Sequence, residues 1–341
     1  MIKYLGSKRV LVPTILDAIR EVCPLDRPRT VLDLFSGTSR VGHGLKAAGY
    51  RVVANDVTTF AATIARCYVQ ADAGPLERKA VALLDELARL PGRAGYFTRV
   101  FCEQSRYVHP RNGERIDAIR DEIERLAPPP ELKAVVLTSL IEAADRVDST
   151  VGVQMAYLKQ WAARAHNDLE LRLPALLPRA RSGRGVALQL DAAEAAERTE
   201  ADLAYIDPPY NQHSYLGNYH VWETLCRWDA PAVYGTACKR IDVRERRSRF
   251  NSRSLYEQAF ADLVSRVRAP VLVVSFNDEG FLPRDRAEAL LARRGNVRVI
   301  EREHARYVGA KIGIYNPQGE KVGTVGRLRN REFLFVVTPR R

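Results

Sequence analysis

The sequence predicts an α/β fold in which a mostly parallel, twisted sheet carries a helical insertion. Two observations support this class. Short apolar runs alternate with helical patterns toward both ends of the chain, which is typical of parallel strands joined by helices. Between them, residues 66–184 show helical periodicity, proline clusters and little strand signal. We therefore expect one α/β domain formed by residues 1–65 and 185–341, interrupted by a mostly helical insertion at 66–184.

The N-terminal region predicts one strand–loop–helix–strand unit. Apolar residues at helical spacing, a buried apolar run and a polar turn follow one another, and a glycine marks the end of the second helix. The expected elements are a helix from Lys8 to Val22, a strand from Thr30 to Phe35, a turn from Ser36 to Ser39, a helix from Gly42 to Ala48 and a strand from Arg51 to Asp56.

The remaining elements follow from the same patterns. In the insertion, helical periodicity covers Val81–Leu90, Ile116–Leu126 and Leu132–Val147. Further strands are expected at Gly185–Asp191, Ala201–Asp207, Pro270–Phe276, Val297–Glu303 and Glu332–Thr338, the last two separated by a glycine-rich connection from Gly309 to Gly326.

Composition narrows the functional classes. The 341 residues are 46% hydrophobic, and 53 Lys and Arg against 41 Asp and Glu give a net charge of +12. This excess suits a polyanionic partner, although an arginine-rich composition from GC-rich coding explains it equally well. The five scattered cysteines predict reduced thiols and include no pair at metal-ligand spacing. No signal-peptide core or bilayer-length apolar run is present, so we expect a cytoplasmic protein without a membrane partner or a metal.

The loop after the first predicted strand is a candidate ligand site. Asp33 precedes a turn of small residues at a helix N-terminus, where backbone N–H groups approach a ligand closely. Asp56 ends the next predicted strand, where a carboxylate accepts hydrogen bonds from ribose hydroxyls. The alternative, that Asp33 and Asp56 are helix caps, stays open.

A second candidate site is Asp207-Pro208-Pro209-Tyr210, directly after an apolar strand. Two prolines end the strand and stiffen the turn. They hold a carboxylate, a free backbone carbonyl and an aromatic ring around one point. Ligands bind at the carboxyl ends of strands in such sheets, so this cluster is expected to face a pocket. Asp and Pro are also ordinary turn residues, but the complete set after a buried strand is much rarer.

In this order, the two constellations resemble the amino-methyltransferases of DNA, in the group that includes Dam-type adenine methyltransferases. The sequence is most similar to the FokI-type enzymes of restriction–modification systems. The similarity covers the first seventy residues and most of the chain after Gly185. The matching segments are Lys3–Lys8, Asp33–Ser39, Asp207–Asn211, Asn218–Thr224 and Ser275–Gly280.

This resemblance implies a Rossmann-like methyltransferase fold and S-adenosylmethionine as the cofactor. It implies transfer of a methyl group to adenine N6 in a specific double-stranded DNA sequence, after base flipping, by a modification enzyme for which a cognate restriction endonuclease is an expected partner. The implied catalytic residues are Asp207, Pro208, Pro209 and Tyr210. The implied cofactor-binding residues are Lys3, Tyr4, Gly6, Lys8, Asp33, Phe35, Gly37, Asp56 and Asp191, of which Asp191 has a helix cap as an equal alternative.

One position departs from the family pattern. Family loops usually carry glycine where this chain has Ser39. If that position requires a positive φ or close approach of the cofactor, a serine is unfavourable there. Because other glycines remain in the loop and the following helix, we expect altered cofactor affinity rather than its loss.

Sequence recognition is expected in residues 211–268, where a basic segment follows the catalytic motif. Arginine reads guanine and grips phosphate, whereas most charge runs are simply solvated surface. The candidate DNA-binding residues are Lys239, Arg240, Arg244, Arg246, Arg247, Arg249 and Arg253. A second candidate surface lies in the insertion and includes His109, Arg111, Asn112, Arg164 and Arg172.

Three alternatives remain open from the sequence. The same core occurs in RNA adenine methyltransferases, although the large insertion between the two motifs favours DNA. Cytosine amino-methyltransferases more often carry serine in place of Asp207. A catalytically inactive DNA-binding protein is disfavoured by the intact Asp207 and Tyr210.

Overall fold

Eleven strands are present in the described part of the chain. The computed structural model describes residues 1–305, 314–315, 321–323 and 329–340. Most of the glycine-rich connection from Gly309 to Gly326 lies outside the described residues. The strands are β1 Thr30–Asp33, β2 Arg51–Asn55, β3 Val186–Leu188, β4 Leu203–Ile206, β5 Val233–Tyr234, β6 Lys239–Arg240, β7 Val271–Asn277, β8 Asn296–Ala305, β9 Ile314–Tyr315, β10 Lys321–Gly323 and β11 Arg329–Thr338.

Seven of these strands form the central sheet, in the order β3-β2-β1-β4-β7-β11-β8. The pairs from β3 to β7 are all parallel. Strand β11 runs antiparallel to both of its neighbours, β7 and β8. The mostly parallel sheet confirms the predicted α/β, Rossmann-like methyltransferase fold. The short pairs β5/β6 and β9/β10 lie outside this sheet.

Helices cover both faces of the sheet and form the insertion. The α-helices are α1 Val12–Val22, α2 Arg40–Ala48, α3 Thr59–Ala65, α4 Pro75–Ala88, α5 Pro110–Leu126, α6 Pro130–Arg146, α7 Ala192–Arg198, α8 Tyr215–Asn218, α9 His220–Arg227, α10 Tyr256–Arg266 and α11 Arg284–Leu291. Short 3₁₀ turns occur at Lys8–Val10, Ala163–His166, Ile241–Arg244 and Arg249–Asn251, and π-helical turns at Arg66–Gln70 and Thr98–Glu103. No helix in the described ranges has the length and apolarity needed to cross a membrane.

Alternating side chains of the buried strands build two cores. Val31 faces a cluster with α1 and α2, whereas its neighbour Leu32 faces a cluster with α7, α10 and α11. Strands covered on both faces read as continuous apolar runs because every position is buried. Two helical layers therefore enclose the sheet and leave its strand ends free to carry polar groups.

The insertion packs on the region after the catalytic motif as well as on itself. Ile116 and Leu140 of the insertion share one buried cluster with Val221 and Trp222 of α9. The insertion and α9 therefore form a common core beside the sheet. The predicted helical character of residues 66–184 agrees with the structure, while the domain boundaries at 66 and 184 stay predictions.

Several predicted elements are shorter than the sequence indicated. Strand β1 ends at Asp33 rather than Phe35, and β4 covers only Leu203–Ile206. The helix expected from Lys8 is divided, because α1 starts only at Val12, with Pro13 in its first turn, where a missing N–H costs nothing. The strand expected to reach Asp191 ends at Leu188. Beyond it, the Asn55 side chain bonds the backbone of Leu190, and Asp191 caps α7.

Candidate active site

Strands β2 and β3 lie on one side of β1 in the sheet, and β4 lies on the other side. A cavity of about 350 Å³ opens at the carboxyl ends of β1 and β4, where the strand order changes side. Ligands of doubly wound sheets bind at this topological switch point. The cavity is lined by both predicted constellations, since Asp33 follows from β1 and Asp207 from β4. One enclosed space therefore joins the nucleotide-type loop to the Asp-Pro-Pro-Tyr turn.

The loop after β1 contains two residues with positive φ, Gly37 at 51° and Ser39 at 57°. The position where the family usually carries glycine therefore does require the left-handed region. Ser39 is fully buried, and its Oγ lies 3.0 Å from the Oγ of Ser36. This hydrogen bond offsets part of the cost of a left-handed non-glycine residue.

Asp56 is built into the cavity wall by its own hydrogen bonds. Its Oδ1 accepts from the backbone N–H of Thr58 at 3.0 Å and from the Thr58 hydroxyl at 2.8 Å. Its Oδ2 accepts from Gly37 N at 3.0 Å. Burial raises the pKa of Asp56, and these donors oppose the rise. Asp56 thus has a capping-type role before α3, and its Oδ2 retains capacity for a further donor.

Asp33 is buried at the inner end of the cavity. Neither of its carboxylate oxygens makes a well-formed hydrogen bond among the described residues. Burial, reinforced by the negative charge of Asp207, raises the pKa of Asp33 to about 7. The Ser36 hydroxyl and the Gly42 N–H approach closely enough to oppose this rise in its pKa. A buried carboxylate that lines a cavity without a well-formed hydrogen bond is suited to accept hydrogen bonds from a ligand.

The N-terminal segment forms another wall of the cavity. The Tyr4 ring stacks on Tyr219 with centroids 4.7 Å apart and on Tyr215 at 5.2 Å. A Cβ added to Gly37 would lie 3.2 Å from the Tyr4 ring, so glycine allows this close approach. Gly6, with φ of 74°, turns the chain so that Lys8 also enters the cavity.

The Lys8 ammonium lies between two carboxylates. Its Nζ is 3.1 Å from Oδ1 of Asp207 and 3.4 Å from Oε2 of Glu332. No hydrogen bond is made to Asp207 Oδ2 within the described part of the chain, so this oxygen is free to accept one. Burial raises the pKa of Asp207 to about 6; Lys8 opposes the rise and Glu332 adds to it. The carboxylate is therefore mostly ionised at neutral pH.

The rest of the turn is more recessed than predicted. Pro209 lines the cavity, whereas Pro208 and Tyr210 do not. Tyr210 is held by its backbone carbonyl, which accepts from Phe281 N at 2.9 Å. Gly280 leaves room for it, since a Cβ there would lie 3.3 Å from Tyr210 Cβ. The turn is fixed against the end of β7.

Residues 4–271 match the family of D12 class N6 adenine-specific DNA methyltransferases. The chain belongs to this family. The description of this family agrees with the predicted enzyme class, an adenine-specific DNA methyltransferase.

Three curated relatives illustrate the similarity. The modification methylase StsI of Streptococcus sanguinis is 28% identical over 82% of this chain and 44% of its own length. The type II methyltransferase M.NlaIII of Neisseria lactamica is 30% identical over 90% of this chain and 93% of its own. M.FokI of Planomicrobium okeanokoites is 30% identical over 86% and 47%. This chain thus spans less than half of StsI and M.FokI but nearly all of M.NlaIII.

Of the predicted cofactor-binding residues, Lys3 lies outside the cavity and Asp191 lies at its border. Lys3 does not line the cavity; its Nζ lies 2.7 Å from Oδ1 of Asp148 in the insertion. Asp191 borders the cavity but is exposed, and its carboxylate caps α7 by accepting from Ala193 N. Phe35 lines the cavity as expected and packs edge-on against Phe250.

The structure corrects the assignment of Arg240 to the DNA-binding surface. Its side chain is only 1% exposed, and its guanidinium makes two hydrogen bonds to Asp229, at 2.7 and 2.8 Å, with a further pair to Asp242. Arg240 therefore joins β6 to the end of α9. A buried, fully paired guanidinium is not available to a phosphate or a base.

The other basic residues of this segment differ in their surroundings. Arg246 lines the cavity and contacts Oε1 of the buried Glu223 at 3.0 Å. Arg247 is exposed and also lines the cavity. Lys239 is partly buried, whereas three exposed arginines have local partners: Arg244 lies over the Tyr234 ring, Arg249 pairs with Asp262, and Arg253 lies over the Phe281 ring.

The polar residues singled out in the insertion are largely engaged within it. Asn112 is buried and bonds the backbone of Asn167 and Leu169. Arg164 pairs with Asp148 at 2.8 Å. The remaining contacts join Arg111 to Asp168, Arg172 to Glu170, and the rings of His109, Trp161 and His166. Asn112 and Arg164 therefore act first in the insertion's own structure.

Several residues of the site were not found by sequence reasoning. Tyr215 and Tyr219 lie in or beside the Asn218–Thr224 motif, so their proximity to the catalytic turn was the available signal. No signal in the sequence pointed to Glu332, because its partner Lys8 is 324 residues away. The additional cavity-lining side chains are Arg40, Thr58, Tyr215, Phe250 and Asn251.

Proposed function

We propose that the protein transfers a methyl group from S-adenosylmethionine to the N6 amino group of adenine in a specific double-stranded DNA sequence. The observation that carries the proposal is the free Oδ2 of Asp207 in the same cavity as the loop after β1. A hydrogen-bond acceptor for an amine and a nucleotide-type pocket thus share one space. Positioning of this kind supplies most of the acceleration of a displacement reaction.

The cavity fits the cofactor by its chemistry. Asp33 offers buried acceptor oxygens without a well-formed hydrogen bond, and Asp56 stands where the end of β2 can meet ribose hydroxyls. Gly37 and Tyr4 form a narrow wall between them, and Phe35 offers an aromatic edge. When bound, S-adenosylmethionine supplies an electrophilic methyl group on a sulfonium. We assign cofactor contacts to Tyr4, Asp33, Phe35, Gly37 and Asp56, with Asp191 at the rim.

Asp207 and the backbone carbonyl of Pro208 are proposed to accept hydrogen bonds from the two amino hydrogens of adenine. These contacts pull the nitrogen toward tetrahedral geometry and localise its lone pair for in-line attack. Asp207 acts as an acceptor rather than a strong base, because the amine becomes acidic only after methylation. Preorganised acceptors aimed at developing positive charge lower the barrier.

The adenine has to leave the duplex to reach Asp207. Tyr210 is proposed to stack on the flipped ring, a contact worth about 1–3 kcal/mol. Because Tyr210 lies behind the cavity lining, this role requires the Tyr210 side chain to become accessible when DNA binds. Arg244, Arg247, Arg249 and Arg253 are proposed to contact the surrounding DNA, with exposed arginines neutralising phosphates.

We further propose that the protein is the modification enzyme of a restriction–modification system in a bacterial or archaeal cytoplasm, with a cognate endonuclease. The support is the type of relative: StsI is named a modification methylase, and M.NlaIII and M.FokI are named type II methyltransferases.

The reaction is tested by tritiated methyl transfer to genomic DNA and, separately, to total RNA, followed by identification of the modified nucleoside. We expect N6-methyl-2′-deoxyadenosine from DNA and no labelled nucleoside from RNA. Label confined to RNA, or methylation of cytosine, would contradict the proposal. Single-molecule sequencing of DNA from expressing cells then identifies the target sequence.

The role of Asp207 is tested by Asp207→Ala, which we expect to abolish transfer while DNA binding persists. The matched control is Asp17→Ala on the exposed face of α1, where the carboxylate contacts only Arg20 among the described residues. Asp17→Ala should methylate at the wild-type rate. Full activity of Asp207→Ala would exclude the proposed mechanism.

A further inference from the structure

Glu332 lies at the active site although it is 324 residues from Lys8 in the chain. Its side chain is 13% exposed, and that of Lys8, between it and Asp207, is 6% exposed. The Lys8 ammonium is within 3.4 Å of both carboxylates. Two anions and one cation are thus held together at the inner end of the catalytic turn.

The register of the sheet explains how Glu332 reaches this place. Glu332 lies opposite Asn277 in the β7–β11 pairing, at the carboxyl end of β7. It points to the same face of β11 as Leu334 and Val336, which are buried in the cluster with α1. A carboxylate on a buried face is unfavourable unless it is paired. Glu332 therefore occupies a position where a purely structural strand would carry an apolar side chain.

We infer that Glu332 is a positioning residue for methyl transfer: it holds the Lys8 ammonium and gives the Lys8–Asp207–Glu332 group a net charge of −1 beside the target amine. This inference rests on the proposed function. Nothing in the motifs of the family-like segments assigns a role to this carboxylate.

The charge matters because positive charge moves toward the amine during the reaction. The bond from sulfur to the methyl carbon breaks while the bond from N6 to that carbon forms, so the sulfonium becomes a neutral thioether and N6 becomes cationic. N6 then loses one of its protons to Asp207 or to water. Lys8 and Asp207 alone are neutral as a pair, and the ammonium would oppose the charge that develops on N6. Glu332 restores a net negative charge at short range, where the effective dielectric constant is low.

Glu332 also prevents Lys8 from pairing with Asp207 alone. An ammonium with Asp207 as its single partner would be free to shift toward Oδ2 and would compete there with the amine for the oxygen's lone pairs. With Glu332 on its other side, Lys8 contacts Oδ1 and leaves Oδ2 free. Glu332 therefore affects the hydrogen bond between the amine and Asp207 Oδ2 in two ways, by its negative charge and by the position in which it holds Lys8.

The two neighbours of Asp207 affect its pKa in opposite directions. Burial raises this pKa to about 6; Lys8 lowers it and Glu332 raises it. Removing Glu332 should lower the pKa of Asp207, and removing Lys8 should raise it. Other titratable groups also surround Asp207, and the variants used in the titration change only Lys8 or Glu332 among them. These groups are Tyr4, Lys8, Asp33, Asp56, Tyr205, Tyr210, Tyr215, Tyr256 and Glu332.

The first measurement does not depend on activity. The protein is labelled with ¹³C at aspartate carboxyls, the Asp207 signal is assigned by its loss in Asp207→Asn, and its titration is followed by NMR. We expect the Asp207 midpoint to fall in Glu332→Gln, to rise in Lys8→Met and to stay near wild type in Glu332→Asp. An unchanged midpoint in Glu332→Gln would overturn the inference.

The second measurement is single-turnover methylation of DNA across the same pH range. In Glu332→Gln we expect the rate to fall by about tenfold to a hundredfold, with the acidic limb displaced to lower pH. Affinities for S-adenosylmethionine and for DNA should stay within about twofold of wild type, and Glu332→Asp should recover most of the rate. A residue that served only folding would not move the acidic limb.

The matched control is Glu301→Gln on β8, a glutamate beside β11 that pairs with Arg284 and Arg331 at the exposed face. It should leave both the rate and the Asp207 titration unchanged. A wild-type rate in Glu332→Gln would overturn the inference. A wild-type protein that does not methylate adenine would overturn the proposed function, while the NMR titration would still decide whether Glu332 controls Asp207.

Discussion

The carboxylate of Asp56 holds the loop after β1, because its Oδ2 accepts a hydrogen bond from the backbone N–H of Gly37 at 3.0 Å. Asp56, the residue that follows β2, is thereby tied to the loop after β1. Gly37, the donor of this bond, has a φ of 51° and lies close to the Tyr4 ring.

Gly37→Ala should weaken cofactor binding by at least about tenfold. The added Cβ would sit 3.2 Å from the Tyr4 ring and would strain a residue with φ of 51°. Isothermal titration with S-adenosylmethionine measures the effect. Gly235→Ala is the control, since Gly235 also has positive φ but has no atom within 4 Å of an added Cβ; it should lose a little stability and no affinity. Equal cofactor affinities in the two variants would contradict this account of the loop.

Ser39→Gly should be more stable than Ser39→Ala by about 1 kcal/mol. Both variants lose the 3.0 Å contact with Ser36 Oγ, so their difference isolates the cost of a side chain at φ of 57°. Urea unfolding of the two proteins gives the comparison. If alanine were as stable as glycine, backbone strain at position 39 would not explain the departure from the family pattern.

Asp33→Asn should make the stability of the ligand-free protein less dependent on pH. Burial and the charge of Asp207 raise the pKa of Asp33 from its ordinary value of 3.8 to about 7. Between these two values the folded protein binds a proton that the unfolded chain has lost, so its stability falls as pH rises through this window. Asparagine removes about one such proton, and the slope of unfolding free energy against pH should decrease accordingly.

The control for Asp33→Asn is Asp17→Asn, which changes an exposed carboxylate and should leave the slope unchanged. Asp145 and Asp207, whose pKa values burial raises to about 7 and about 6, keep a residual slope of the same sign in both proteins. A steeper loss of stability with rising pH in Asp33→Asn would reverse the sign argued here.

Arg240→Met should destabilise the protein by about 3 kcal/mol, because it leaves the Asp229 carboxylate without its two guanidinium hydrogen bonds. Arg253→Ala should change the unfolding free energy by less than about 0.5 kcal/mol, as expected for an exposed side chain. Denaturant unfolding separates the two. A neutral Arg240→Met would indicate that the pair with Asp229 contributes little to the fold.

For DNA affinity we expect the opposite order, with larger effects from the exposed arginines than from the buried Arg240. Arg253→Ala and Arg247→Ala should each weaken DNA binding and reduce the slope of log affinity against log salt by about 0.9 if each side chain neutralises one phosphate. Fluorescence anisotropy at several salt concentrations measures this slope. Folded Arg240→Met, examined at low temperature, should keep the wild-type slope because Arg240 is buried.

Local sequence was sufficient for the elements around the switch point. The apolar runs Thr30–Phe35 and Ala201–Asp207 predicted two strands, and the structure places their carboxyl ends side by side because β1 and β4 are parallel neighbours. The expectation that Ser39 is unfavourable if its position requires a positive φ also followed from residue chemistry alone. These features depend on residues close together in sequence, where strand, turn and helix preferences act directly.

Contacts between residues far apart in the chain could not be predicted from local sequence. Lys3 and Lys8 belong to one motif, yet a turn at Gly6 sends Lys3 to Asp148 and Lys8 to Asp207. Arg240 looked like part of a solvated basic run, although the β5/β6 pairing turns it toward Asp229. Side-chain direction in such segments depends on partners that only the three-dimensional structure brings close.

The place of β11 in the sheet has a consequence for synthesis on the ribosome. β11 pairs with both β7 and β8 but follows them in the chain, so a nascent polypeptide has two unpaired strand edges until residues 329–338 emerge. The same strand brings Glu332 to Lys8, closing a contact over 324 residues. Contacts between residues far apart in sequence are slow to form in folding. A nascent chain that lacks β11 would therefore have the loop after β1 and the catalytic turn, but Lys8 would lack its contact with Glu332. Methylation would then begin only after translation has passed β11, and the appearance of activity during refolding would report the last strand to join the sheet.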